Sequence, residues 1–227
     1  MADATNADEL FLAMLGEIRR QRRSRRVVED SSPQKDDTVE AAFCSFSLKN
    51  VTLNCTSIRA VNVKWALANA LHFFTASEEA GSIRQYNELA DRYLTDGMWI
   101  GAYGAVAVPQ LRKCAELLNK DPGTRRACAT ILTTDAHDRH NANVPPCPLC
   151  LHFLSDGKQL SMAVYQRSLN LFGVMPYDCV LLTNVLRWAC LQTGAQYGEL
   201  HWFVGSLHCR RATSNVGSTN QTSFLDP

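Results

Sequence analysis

No stretch of the 227-residue chain approaches the roughly 20 consecutive apolar residues that a membrane-spanning helix requires, although 46% of its residues are hydrophobic. That apolar fraction must instead be buried in a folded core, and the length allows one large core. An excess of one charge is also missing. With 23 Lys and Arg against 22 Asp and Glu the net charge is +1, so no whole-molecule field draws the chain to nucleic acid or to a membrane. The opening, MADATNADELF, carries acids where a secretory leader has basic residues, and no export signal is expected. No internal repeat is visible. Cysteine, by contrast, is plentiful. Nine scattered thiols, an odd number, without an export signal fit a reducing, cytoplasmic location better than a disulfide scaffold.

Patterning predicts one α+β domain over residues 1–209 with a largely antiparallel sheet. A helix is expected over 7–21, acidic at its start and basic at its end. It runs into RRQRRSRR (19–26), which reads as a solvated helix end entering a mobile loop or as a phosphate-binding cluster. SSPQKDD (31–37) reads as an exposed loop, and AFCSFSL (42–48) alternates like a strand. Residues 59–76 are apolar around most of a helical circumference and suggest a buried helix, with Asn69 in its middle needing a partner or a job. A helix over 108–119 would carry Pro109 in its first turn. Beyond the DPG turn at 121–123, RACATILTT (126–134) reads as a strand. After the loop 140–146, strands at 149–155 and 158–168 flank a turn at Asp156-Gly157. A core helix over 178–194 would end on Gly194, a last strand spans 199–209, and the polar tail 210–227 is expected to be loosely ordered.

The chemistry-bearing stretch is VPPCPLC (144–150), which admits three readings. With His137 and His140 upstream, Cys147 and Cys150 complete H-x2-H-x6-C-x2-C, four potential zinc ligands. Alternatively the CxxC is a redox pair, although that motif belongs at a helix start and LCLHFL looks like strand. In the third reading Cys147 alone is a nucleophile. Pro145 and Pro146 stiffen the backbone that aims it, and Cys150 is a buried passenger in the strand. Arginines in DPGTRR (121–126) and YQRS (165–168) could hold a phosphomonoester and stabilise a thiolate.

Four segments, in order, resemble the thymidylate synthase family over roughly residues 60–209: LLNKDPGTRR (117–126), VPPC (144–147), SDGKQLSMAVYQRSLNLFGVMPYD (155–178) and WFVGSLH (202–208). The resemblance implies that family's fold, a homodimer joined through its sheets, and one-carbon transfer from methylenetetrahydrofolate with no metal. Cys147 would add to C6 of a pyrimidine nucleotide, making C5 the nucleophile. Arg167 and Ser168 would hold the phosphate, with Arg125 and Arg126 reaching across from the partner. Gln166 and Asp178 would face the base, and His208 and Arg210 the sugar. Tyr103 and Asn69 would manage protons, while Asn170, Gly173 and Trp99 would contact the folate. The phosphate-loop arginine of the family would fall to one of Arg22, Arg23, Arg25 or Arg26. Plain alternatives stand beside these roles: a salt-bridged strand start for Arg125 and Arg126, a core histidine for His208, a packed aromatic for Tyr103.

The departures from the family pattern carry the substrate argument. Asp178 stands where most members read uracil with asparagine. An ionised carboxylate cannot donate to O4, but it accepts from the 4-amino group of cytosine. Within the family, aspartate there marks enzymes acting on cytidylates; its plain alternative is a helix N-cap. Asn69 replaces a glutamate, Pro148 a histidine, Asn170 an aspartate, Ser206 an aspartate and Arg210 a tyrosine, and the extension that closes over folate is not seen. These changes favour a reaction ending in water addition. The expectation is a deoxycytidylate (dCMP) 5-hydroxymethyltransferase in a phage-like or antibiotic-producing setting. A dCMP methyltransferase follows, then a CMP hydroxymethylase or a thymidylate synthase on dUMP. A zinc or nucleic-acid binding module is the competing class.

Overall fold

The computed structural model describes residues 2–26, 37–49, 56–86, 94–95, 98–99, 102–132 and 146–210. Helix α1 (Ala7–Gln21) starts at a reciprocal cap. Asn6 Oδ1 accepts from the Glu9 amide at 2.9 Å, while Glu9 Oε2 accepts from the Thr5 amide at 2.7 Å. Leu10, Phe11, Met14, Leu15 and Ile18 form its buried stripe, and Arg22 ends it in the left-handed region at φ 42°. The arginine-rich stretch then continues as a strand rather than the expected mobile loop, because Arg23–Arg26 pairs with Asp37–Glu40.

The strands in chain order are β1 (Ala2–Ala4), β2 (Arg23–Arg26), β3 (Asp37–Leu48), β4 (Leu94–Thr95), β5 (Met98–Trp99), β6 (Cys128–Thr130), β7 (Pro148–Ser155), β8 (Gln159–Asn170) and β9 (Gln196–Arg210). β4 and β5 form a separate ribbon. The main sheet runs β1-β3-β9-β8-β7-β6, with β2 also on β3. It is mixed: β1–β3 and β8–β9 are parallel and the other pairs antiparallel. Leu151, Phe153, Leu160, Met162, Val164, Leu200, Trp202 and Val204 point into one continuous core with α1 and the later helices. By alternation His152, Leu154, Ser161, Ala163, Tyr165, His201 and Phe203 lie on the opposite face, where Tyr165 and Phe203 stack at 5.0 Å.

A bend crosses four strands at one level. Phe43 takes φ 55°, and the pairing skips it and Gly205. A Cβ on Gly205 would lie 2.8 Å from the Arg167 carbonyl oxygen, so the close approach needs glycine. One strand further, the register shifts between Pro148 and Cys150, and the Arg167 amide donates to the Cys147 carbonyl at 2.8 Å. Such irregularities re-aim side chains, and this one ends under Cys147.

Helices α2 (Val63–Thr75), α3 (Tyr103–Lys120) and α4 (Met175–Thr193) complete the fold, with a 3-10 turn at Gly81–Tyr86. Three helix expectations need correcting. α2 buries Trp65, Ala66, Ala70 and Phe73 but exposes Val63, Leu67 and Leu71, so it is a one-sided helix. α3 begins five residues early, placing Pro109 inside it. The reason is Gly104, whose missing side chain lets α3 close onto the Phe73 carbonyl of α2. α4 begins three residues early, at Met175 with Pro176 in its first turn, while Gly194 ends it at φ 68° as expected. The strand expected over 126–134 shortens to Cys128–Thr130. Loop 31–36, His137, His140 and the tail 211–227 lie outside the described residues.

Candidate active site

The bend and the early helix starts bring four expected site residues together. Pro146 and Cys147 enter β7 braced from β8: besides the Arg167 amide on the Cys147 carbonyl, Arg167 Nε donates to the Pro146 carbonyl at 3.0 Å. Cys147 stays partly accessible. Tyr103, first residue of α3, meets the same loop, its phenol bonded by the Cys147 backbone amide. Burial, and then the charges of Cys147 and Asp178, push the Tyr103 phenol far above its ordinary value, while the Cys147 amide and the Arg167 charge pull the other way. Tyr103, Cys147, Asp178 and Arg167 thus share one electrostatic environment. Tyr103 also packs against the main core, so the bond stands beside the packed-aromatic alternative.

Asp178 lies in the first turn of α4, three residues past its start, and the cap position is Val174. The N-cap alternative is therefore excluded by the helix boundary. Its Oδ2 accepts from Gln166 Nε2 at 2.9 Å, and Gln166 Oε1 accepts from Trp202 Nε1 at 2.7 Å. Oδ1 has no hydrogen-bond partner among the described residues. Burial raises the Asp178 carboxyl to about 6 against the lowering effect of Gln166. Trp202 was not a sequence candidate. Its place in an alternating strand signals only a core position, and its role shows in the register Gln166–Val204 that sets Trp202 beside Gln166.

Other expected residues sit around this cluster. Ser168 pairs with Ser206 and Asn170 with His208 across β8–β9. Ser206 donates to the buried Glu40 Oε2 at 2.7 Å, so a carboxylate from β3 stands beside the family's lost aspartate. Asn170 Oδ1 accepts from the amides of Phe172 (3.1 Å) and Gly173 (2.9 Å), shaping the turn before α4. Arg125 and Arg126 are exposed before β6, and among the described residues neither has a carboxylate partner. Asn69 bonds the Trp65 carbonyl of its own helix at 3.2 Å, and no hydrogen bond joins it to the Cys147 group among the described residues. The backbone of Trp99 lies in β5 and that of Arg210 ends β9; their side chains lie outside the described set.

Cys150 is not the buried passenger expected. The shifted register leaves it half-buried, with its sulfur 2.9 Å from that of Cys128 on β6. Burial and Cys128 push its thiol up to about 12, a poor nucleophile at neutral pH.

Comparison with known proteins fits this arrangement. The family profile described as "Thymidylate synthase" matches residues 11–215. A thymidylate synthase from Corynebacterium aurimucosum is 28% identical over 158 residues, 65% of this chain and 52% of that protein. A deoxyuridylate hydroxymethyltransferase from Bacillus phage SP01 is 25% identical over 174 residues, 66% of this chain and 44% of that protein. The chain thus spans about half the length of the curated relatives it matches. The solved structure of thermostable thymidylate synthase A from Bacillus subtilis superposes with a TM-score of 0.75 at 16% identity, covering 91% of this chain and 80% of that one.

Proposed function

Because the chain belongs to the thymidylate synthase family, we propose that it transfers a one-carbon unit to C5 of a cytidine monophosphate nucleotide, dCMP foremost, to give the 5-hydroxymethyl product. The observation that carries this is Asp178, whose charge reaches the Tyr103 phenol that Cys147 also meets, with one carboxylate oxygen held by Gln166 and the other without a partner among the described residues.

In this proposal the Cys147 thiolate adds to C6 of the pyrimidine, leaving electron density on C5. Methylenetetrahydrofolate supplies the one-carbon unit that C5 attacks. C5 then gives up its proton and the bond to tetrahydrofolate breaks, leaving an exocyclic methylene; water adds to that carbon, and the thiolate departs from C6. Arg167 braces the loop that aims Cys147, and its positive charge favours the thiolate. Tyr103, held protonated by burial, orders the path of the C5 proton. Arg167 and Ser168 hold the phosphate of one subunit, and Arg125 and Arg126 serve the partner in a homodimer joined through the outer sheet face. His208 and Arg210 serve the sugar. For the folate, Asn170 keeps its amide nitrogen without a partner among the described residues, beside the exposed Gly173, and Trp99 serves with them. The departures at Asn69, Pro148, Asn170 and Ser206 support water, rather than hydride, ending the reaction.

At neutral pH the Asp178 carboxylate accepts from the 4-amino group of cytosine and repels O4 of uracil. A uridylate substrate is the second reading. It is favoured by the relative named deoxyuridylate hydroxymethyltransferase and by the raised carboxyl, whose protonated form can donate to O4. The test of the nucleophile is Cys147→Ser. Turnover should vanish while binding of dCMP, followed by calorimetry, stays largely intact. Full activity in that variant would refute the mechanism.

A further inference from the structure

We propose that Trp202 is a positioning residue that fixes which end of the Gln166 amide faces Asp178. Asp178 Oδ2 is thereby kept an acceptor, and Oδ1 becomes the one place where this carboxyl can carry a proton. The inference begins with what each group can do. An indole N–H only donates, whereas a carboxamide accepts at one end and donates at the other. Which end of a buried amide points where is decided by its network. Trp202, 1% exposed on β9, holds Gln166 Oε1 at 2.7 Å, and Gln166 is itself only 2% exposed. Turning the amide would set its N–H against the indole N–H with no water to relieve either, so the donor end stays on Asp178 at 2.9 Å.

The consequence falls on Oδ1. Ionised, it accepts from an amino group; protonated, it must hold the proton itself and becomes a donor, because Oδ2 is already occupied by an N–H. If the amide were free to turn, a proton on Oδ2 could donate to Gln166 Oε1, and Oδ1 would remain an acceptor in both states. The Trp202 indole therefore gives the open oxygen two distinct hydrogen-bonding characters. The titratable group whose electrostatics involve Asp178 is Tyr103 from α3, and that same phenol meets Cys147 from its loop and the charge of Arg167 from β8.

Two folded variants test this. Trp202→Phe keeps the ring and removes the donor. Gln166→Glu keeps an acceptor for Trp202 and replaces the donor facing Asp178 with an acid. Carbon-detected NMR of aspartate carboxyls on the nucleotide-free chain, with thermal melts to confirm folding, reads the Asp178 titration directly. In Trp202→Phe the midpoint should rise by about one pH unit, the gain of one hydrogen bond by the protonated form. In Gln166→Glu it should rise further. An unmoved midpoint in either folded variant overturns the assignment. A nucleotide arm rests on the cytidylate reading above. The dCMP-over-dUMP binding ratio of the wild type should fall about tenfold as Oδ1 protonates, and this fall should vanish in Gln166→Glu, where the proton stays between the two carboxyls. A wild type with no dCMP preference at any pH would defeat the cytidylate reading alone. A preference whose pH dependence persists in Gln166→Glu would defeat the role given to Trp202.

Discussion

At the scale of single residues, Asp178 carries the most chemistry for its size. Burial raises its folded carboxyl from the ordinary 3.8 to about 6. Between those values the folded chain keeps a proton that the unfolded chain has released, so this residue's contribution to stability is lost as pH rises through that window. Asp178→Asn, which cannot ionise, should therefore stabilise the protein at pH 7.5, by roughly 1–3 kcal/mol, and have little effect near pH 4. Paired thermal melts check the sign. The same change restores a donor for O4, so dUMP should gain on dCMP by about ten- to a hundredfold in kcat/KM. Cys147 and the arginines proposed to serve it stand out in the sequence because PPC, QRS and DPGTRR are local words. Trp202 and the Cys128–Cys150 contact were not. A buried tryptophan in an alternating strand reads as core, and two cysteines 22 residues apart meet only through strand register.

Among the elements, close approaches decide where the site residues stand. α3 can begin at Tyr103 because Gly104 has no side chain to strike the Phe73 carbonyl. The sheet bends under Cys147 because Gly205 lets the Arg167 carbonyl come near. Gly205→Ala should lower the melting temperature, at a cost of about 1–3 kcal/mol, and reduce kcat more than it weakens nucleotide binding, since it displaces the brace on Pro146 and Cys147. A melt combined with steady-state kinetics checks both halves; an unchanged kcat would detach the bend from the chemistry. Periodicity located α1, β8 and the end of α4 well. It missed the starts of α3 and α4, where weak local signals (GAYGAV and GVMPY) are overridden by packing, and it overestimated the burial of α2 because apolar residues there also line an exposed side.

For the whole molecule, the outer sheet face and the exposed Arg125 and Arg126 bear on assembly. If those arginines serve a neighbouring subunit, Cys147→Ser and Arg126→Ala are each defective for different reasons, and mixing the two should restore activity by forming one intact site per heterodimer. No recovery after subunit exchange, verified by mass, would place Arg126 in its own subunit's site. The central claim is that this chain modifies a cytidylate at C5. Incubation with methylenetetrahydrofolate and either dCMP or dUMP, followed by mass spectrometry of the nucleotide, tests it most directly. The account predicts 5-hydroxymethyl-dCMP from dCMP and unchanged dUMP; a modified nucleotide from dUMP alone would contradict it.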